Sequence, residues 1–314
     1  MNKRIIIAVV LASALLVFES CGIAGSIIVR RGLERNYDPM AFARSKKEME
    51  KRVPGLTAWV DRMFLSGQMH DTTIVRDGFK LHANYAAAPV PSRRTAVIIH
   101  GYGANNMNMM HIARMFRDSI GYNVLLPDLR RLGLSEGAAV QMGWLDRFDV
   151  LDWSAIAHEV FGDTLQVYHG ISMGAASIMN AGGEGTPDYV RGFIADCGFS
   201  SLWDVADTLL TERKLPAGPI LENIETQVKR RFGWSVLDDV PSRQVAKCSK
   251  PMLFIHGDAD QITPTSMSRV NYDAKVNGYR EIWIVSGSRH AYSYPDHPAE
   301  YTAVVRRFLK EHVE

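Results

Sequence analysis

The chain has 314 residues, 46% hydrophobic and 22% charged, with a net charge of +2. It is long and apolar enough to bury a sizeable core and reads as one large globular domain behind a leader, two domains being the alternative. The small net charge and the scattered basic residues, with no interleaved aromatics, exclude nucleic acid or a strongly acidic partner.

Lys3 and Arg4 precede the apolar run Ile5 to Phe18, and apolar character continues to Val29 before Arg30 and Arg31. Two readings are open, and both place the protein at a membrane. As an uncleaved anchor, the leading expectation, Ile5 to Val29 makes a helix of about 37 Å, enough to cross a hydrocarbon core of about 30 Å. Glu19 near mid-span costs roughly 2.5–3.5 kcal/mol on insertion, which the many Ile, Val and Leu residues offset. As a signal peptide, Ile5 to Phe18 is the apolar core, and Cys21 followed by Gly22 resembles the lipid-modified cysteine of a bacterial lipoprotein. Phe18 and Glu19 depart from the small and aliphatic residues of such a cleavage box. An anchor with Arg30, Arg31, Arg35, Arg44, Lys46 and Lys47 on its C-terminal flank leaves the globular part cytoplasmic, whereas a secretory leader places it outside.

From Asp71 the pattern alternates strands and helices. TTIVRDGFKLHANYA reads as a hairpin turning at Asp77-Gly78. Six short apolar runs follow: TAVIIHG, YNVLLPD, LQVYHG, VRGFIAD, PMLFIHG and REIWIVSG. Such runs, separated by helical stretches, are those of parallel strands covered on both faces. The fold class expected is an open, mostly parallel α/β sheet with an antiparallel hairpin at one edge, binding ligands beyond the carboxyl ends of its strands. Cys197 then falls just after one strand and Cys248 just before another, at opposite ends of the sheet, too far apart for a disulfide, so free buried thiols are expected.

The chemistry-bearing residues follow strand ends. HGISMGA, residues 169–175, places Ser172 between a strand and a small-residue helix. The flanking glycines permit a sharp reversal that presents the hydroxyl and puts the Met173 N–H at a helix N-terminus, where an oxyanion is stabilised. A serine hydroxyl needs a histidine base oriented by a carboxylate. Asp258 and Asp260 follow a later strand, and His290 follows the last. His297 competes with His290, but Pro298 marks it as a helix entrance. Asp196 is an outside candidate for the acid. His100, His169 and His256 each end a strand, match no metal spacing, and are expected to hold neighbouring loops.

From about Asp71 onward, VIIHGYGANNMNMMHIARMF, NVLLPDLRRLGLSEG, FDVLDW, HGISMGA, FIADCGFSSLWD, FIHGDADQITP and SGSRHAYSYPDHPAEY resemble the α/β-hydrolase superfamily. Within it they are most similar to small, often membrane-anchored bacterial serine hydrolases related to prolyl-oligopeptidase-like and carboxylesterase enzymes. The resemblance implies Ser172 as nucleophile, Asp260 as triad acid, His290 as base, and the backbone N–H groups of Tyr102 and Met173 as oxyanion hole, with no metal or organic cofactor. Ile171 stands where the elbow often has Glu or His, which leaves the subfamily open.

The domain division expected is therefore 1–31 as anchor or signal segment, 32–70 as helical linker, and 71–314 as α/β-hydrolase domain with a helical cap at 202–250. In the cap, Ile220, Ile224, Val228 and Phe232 form an apolar stripe. Trp203, Leu209 and Trp234 are either acyl-pocket residues or packing residues. The function expected is hydrolysis of carboxylic esters through an acyl-enzyme, lipid-derived or otherwise apolar acyl esters fitting the anchor. The alternatives are a serine peptidase or thioesterase with the same machinery, or an inactive membrane-tethered binding protein. The substrate and the oligomeric state are not legible.

Overall fold

The computed structural model describes residues 20–34 and 38–314. The apolar run Ile5 to Phe18, and with it the choice between anchor and signal peptide, lies outside the described residues. Among the described residues no helix is long and apolar enough to cross a membrane.

Three helices lead in: α1 (20–32), α2 (Ala41–Arg52) and α3 (Leu56–Leu65). The hairpin β1 (His70–Arg76) and β2 (Phe79–Ala86) follows, its turn made by Asp77 and Gly78, both at positive φ. Such a turn matches the twist of paired strands. The chain then runs through β3 (Arg94–Ile99), α4 (Met110–Arg114), β4 (Asn123–Pro127), α5 (Asp146–Phe161), β5 (Leu165–Ile171), α6 (Met173–Gly182) and β6 (Val190–Asp196). After β6 come α7 (Leu202–Glu212), α8 (Ala217–Phe232) and α9 (Pro241–Val245). The end of the chain is β7 (Met252–Gly257), α10 (Thr265–Ala274), β8 (Arg280–Val285), α11 (Ser293–Asp296) and α12 (Pro298–Phe308).

The eight strands form one sheet in the order β1-β2-β4-β3-β5-β6-β7-β8. Only the β1–β2 and β2–β4 pairings are antiparallel. The six apolar runs of the sequence are β3 to β8. They carry no polar alternation because both faces are covered. Val97, Ile99, Tyr168, Phe193 and Phe254 pack on one face with α5 and α6, while Ala96, Ile98, Val167, Ile194 and Ile255 pack on the other with α3 and α12.

Within the stretch 32–70, α2 and α3 are helical, and α3 is built into this core rather than suspended from it. Leu56, Trp59, Val60 and Met63 recur at helical spacing and are buried against the sheet face that also holds Tyr301 and Phe308. The Trp59 indole N–H donates to Asp118 at 2.6 Å. Cys197 and Cys248 are free and buried, as is Cys21.

Strand order reverses between β3 and β5. Chain ends that diverge at such a point leave a crevice at the carboxyl edge of the sheet, and the loops that follow β3 and β5 line it.

Candidate active site

Ser172 is the single residue between β5 and α6, with φ 58° and ψ −120°. This backbone conformation is strained for a residue with a side chain and persists only where its surroundings impose it. The glycines on either side are part of that imposition. A Cβ at Gly170 would lie 2.3 Å from the Gly174 carbonyl oxygen, and one at Gly174 would lie 2.2 Å from that of Ile99. The strand and the helix therefore approach more closely than any other residue allows. The Ser172 N–H donates to the Asp196 carbonyl at 2.8 Å, which fixes the turn against β6.

Two loops bring the partners. His290 Nε2 lies 2.9 Å from Ser172 Oγ, and its Nδ1 lies 2.7 Å from Asp260 Oδ2. Asp260 also accepts the backbone N–H groups of Ile262 at 2.8 Å and Thr263 at 3.0 Å, with the Thr263 hydroxyl at 3.0 Å. His256 Nε2 approaches the same carboxylate at 3.1 Å. Burial alone would raise the Asp260 pKa, but these hydrogen bonds, from His256 and His290 first, hold it well below the usual carboxylate range. An ionised carboxylate only accepts, so the proton sits on His290 Nδ1 and the Nε2 lone pair faces the serine hydroxyl.

The competing residues have other partners. Asp258 accepts the Gly287 N–H at 2.6 Å on an exposed turn. Asp196 is bonded to the hydroxyls of Ser293 and Tyr301, each at 3.1 Å. His297 is the N-cap of α12, next to Pro298. His100 spans the turn after β3, with Nδ1 at 2.8 Å from the Gly101 carbonyl and Nε2 accepting the Leu129 N–H at 2.9 Å. His169 Nε2 lies 2.7 Å from the Tyr301 hydroxyl.

Met173 is the first residue of α6, so its N–H lies among those a helix start leaves without an intrahelical partner. Tyr102 follows Gly101, at which a Cβ would lie 3.2 Å from the Ser172 Cβ, so this turn backs directly onto the serine. The Tyr102 hydroxyl donates to the Gly32 carbonyl at 2.8 Å, joining the end of α1 to the site.

A cavity of about 980 Å³ opens over Ser172 and His290. Its walls come from α2, through Arg44, Glu48, Met49 and Arg52, from the turn at 101–109, and from the loop 131–137. None of Trp203, Leu209 and Trp234 lines this cavity; they pack against the sheet core. The stripe residue Ile220 is buried with Leu210 and Cys21, so α1 packs on part of α7 and α8, while Ile224, Val228 and Phe232 join the sheet core. At the cavity over Ser172 the wall is supplied by α2 and not by Trp203, Leu209 or Trp234. Within the sequence, the charged helix AFARSKKEMEKR gave no sign of this role, because its contact with the site is made across the fold.

Among the described residues, Cys197, Asp260 and His290 place donor atoms within 4.8 Å of one another. The set does not fit a metal. Burial first, then the charges of Asp196 and Asp260, push the Cys197 thiol pKa well up, against the thiolate a metal requires. The Asp260 and His290 donors are already engaged with each other.

No family model matches the chain. It is 31% identical over 227 residues to the uncharacterized protein YqkD of Bacillus subtilis, spanning 72% of this chain and 74% of that one. The esterase Pf2001 of Pyrococcus furiosus superposes with a TM-score of 0.64 at 22% identity, covering 81% of this chain and 96% of the esterase. A membrane phospholipase A described as a bacterial virulence factor superposes with a TM-score of 0.56 at 16% identity, over 98% of both chains. The chain therefore belongs to one family with YqkD, and its strand order, reversing beside a strained serine turn, and its structural neighbours give it the α/β-hydrolase fold.

Proposed function

We propose that the protein is a serine hydrolase that cleaves small-molecule carboxylic esters in two steps. One observation carries the reading: the unbroken relay from Ser172 Oγ through His290 to Asp260, at 2.9 and 2.7 Å, starting on a strained turn. His290 Nε2 takes the serine proton as Oγ attacks the ester carbonyl. Negative charge develops on the carbonyl oxygen, and the N–H groups of Tyr102 and Met173 receive it. Collapse expels the alcohol, which takes the proton from His290, and leaves an acyl group on Ser172. A water molecule, deprotonated by the same histidine, then releases the acid and restores the serine.

The ester class follows from the cavity. Met49, Phe79, Met109, Leu132 and Ile171 give it apolar wall, and Arg44, Arg52 and Arg131 give it charge, so it suits a small ester with an apolar body and a polar end. Membrane association is part of the same proposal. It is supported by the run Ile5 to Phe18 and by Ile23, Ile27 and Ile28, which are exposed on α1 just after it.

The test is turnover of p-nitrophenyl esters of increasing acyl length by the full chain and by Ser172→Ala. The expected result is hydrolysis with a preferred acyl length, abolished in the variant. Equal turnover by both proteins, or none by either when folded, refutes the proposal.

A further inference from the structure

We infer that His82 and Asp128 are positioning residues of the Ser172 cavity: an ion pair between them clamps two of the segments that wall it, so that how tightly the ester is held depends on the charge of His82. This rests on the hydrolase reading above and adds a regulation of the same site.

Asp128 directly follows β4 and is 2% exposed. Its Oδ1 accepts the Asn106 N–H at 2.8 Å, in the turn at 101–109, and its Oδ2 accepts the Leu134 N–H at 3.0 Å, in the loop 131–137. Both segments line the cavity. Gly133, at φ 57°, comes so near that a Cβ there would lie 2.1 Å from the Asp128 Cγ, so the loop is wound tightly around this carboxylate. A buried carboxylate is costly unless a cation accompanies it, and losing its charge pairing loosens both segments at once.

His82, on β2 and 6% exposed, is that cation. Its Nδ1 lies 2.9 Å from Asp128 Oδ2, and its Nε2 lies 3.0 Å from Asp71 Oδ1. An ionised carboxylate only accepts, so a ring that faces one with each nitrogen carries two protons and is an imidazolium. Side-chain amides close the circuit: Asn106 donates to Asn84 Oδ1 at 2.8 Å, and Asn84 donates to Asp71 Oδ1 at 2.7 Å. Burial alone would lower the His82 pKa, but the bonds to Asp128 and then to Asp71 raise it above its usual value. His100 also feels the Asp128 charge, yet burial, the main cause, lowers its pKa, so it stays neutral and does not replace the cation.

Asp71 stands at the water-facing end of the pair, its side chain 65% exposed, which gives the proton on Nε2 a route to solvent. Once that proton leaves, one ring nitrogen turns a lone pair toward a carboxylate, and Asp128 keeps a buried charge without its counterion. Neither His82 nor Asp128 lines the cavity, so the change reaches the ester through the two segments and acts on its binding rather than on the chemical step.

The experiment titrates the full chain, its histidines labelled with nitrogen-15, by NMR, with His82→Gln assigning the ring. Both His82 nitrogens are expected to be protonated at neutral pH and to lose a proton only above 6.5. Over the same pH range, kinetics on the p-nitrophenyl ester of preferred acyl length are measured for the wild type, His82→Gln and Asp128→Asn. KM is expected to rise by about 3- to 10-fold in each variant, the range of one hydrogen bond, with kcat within about twofold. Wild-type KM is expected to climb as His82 titrates, while that of His82→Gln stays flat. A singly protonated ring at neutral pH, variants with wild-type KM, or a wild-type KM that ignores the titration overturns the inference. So does a fall in kcat at constant KM, which is what loss of folded enzyme alone produces. Should a variant fail to fold, the wild-type titration and the KM that follows it decide. If no ester is hydrolysed and fluorophosphonate does not label Ser172, the hydrolase reading fails instead. Hydrogen exchange at the Asn106 and Leu134 amides then decides for the clamp: protection at neutral pH, lost faster than base catalysis explains as His82 titrates, supports it, and its absence overturns it.

Discussion

Asp260 Oδ2 and His290 Nδ1 lie 2.7 Å apart, and the same carboxylate collects the N–H groups of Ile262 and Thr263 and the ring of His256. With the Thr263 hydroxyl at 3.0 Å, five donors on one carboxylate fix its plane and thereby the tautomer of His290. Asp260→Asn presents an amide N–H to Nδ1, moves the proton to Nε2, and leaves Ser172 without a base. Ester turnover is expected to fall by about 10³- to 10⁴-fold in kcat. Steady-state kinetics beside a melting curve check it, and a loss under tenfold with the fold intact would contradict the tautomer argument.

The Thr263 hydroxyl stands 3.0 Å from Asp260 Oδ2, 3.1 Å from His290 Nδ1 and 3.0 Å from the Cys197 carbonyl. It steadies the acid without touching substrate. Thr263→Val keeps the shape and removes one hydrogen bond, so kcat should drop by roughly 3- to 10-fold with KM unchanged. A rise in KM at constant kcat would mean that Thr263 shapes the cavity instead.

Gly174 has no room for a methyl group, since the first atom met is the Ile99 carbonyl oxygen in β3. Backbone cannot rotate aside as a side chain can. Gly174→Ala should cost at least ~2 kcal/mol of stability and disturb the Ser172 turn along with it. Chemical denaturation measures the first effect and fluorophosphonate labelling the second; wild-type stability would show that the strand and helix separate freely.

His111 and His169 are buried in the protein, and burial, the main cause in both, brings each pKa down to about 3 from the usual 6.5. In the unfolded chain both take up a proton as pH falls through 6.5, while the folded chain does not. Protons bound by the unfolded state alone favour unfolding, so stability is present above 6.5 and is lost progressively toward pH 3. The melting temperature should fall across that window, with a shallower slope in His111→Phe. A flat profile from neutral pH to about pH 4 would show that these rings are not held neutral.

The sheet and the relay were legible because each rests on local signals. A strand buried on both faces must be apolar at every position, so VIIH, VLLP and FIHG announce themselves. Gly-x-Ser-x-Gly announces the turn because Gly170 and Gly174 are the only residues that fit it. Ser172, Asp260 and His290 follow strand ends, and parallel strands bring their carboxyl ends to one edge whatever the intervening sequence. The cavity wall was not legible. Which helix covers the crevice depends on contacts between distant segments, such as Tyr102 with Gly32 and Gln227 with Ser26, and neither pair has a local signature. Trp203 and Trp234 are aromatic enough for an acyl pocket and equally suited to a core; both pack against the sheet, a contact with no local signature.

The most direct test of the account is the site of covalent capture. The full chain is treated with a fluorophosphonate, digested, and the modified peptide sequenced by mass spectrometry, with Ser172→Ala and His290→Ala beside it. The account predicts one adduct, on Ser172, absent in the first variant and greatly slowed in the second. An adduct on another serine, or a folded chain that takes none, would contradict it.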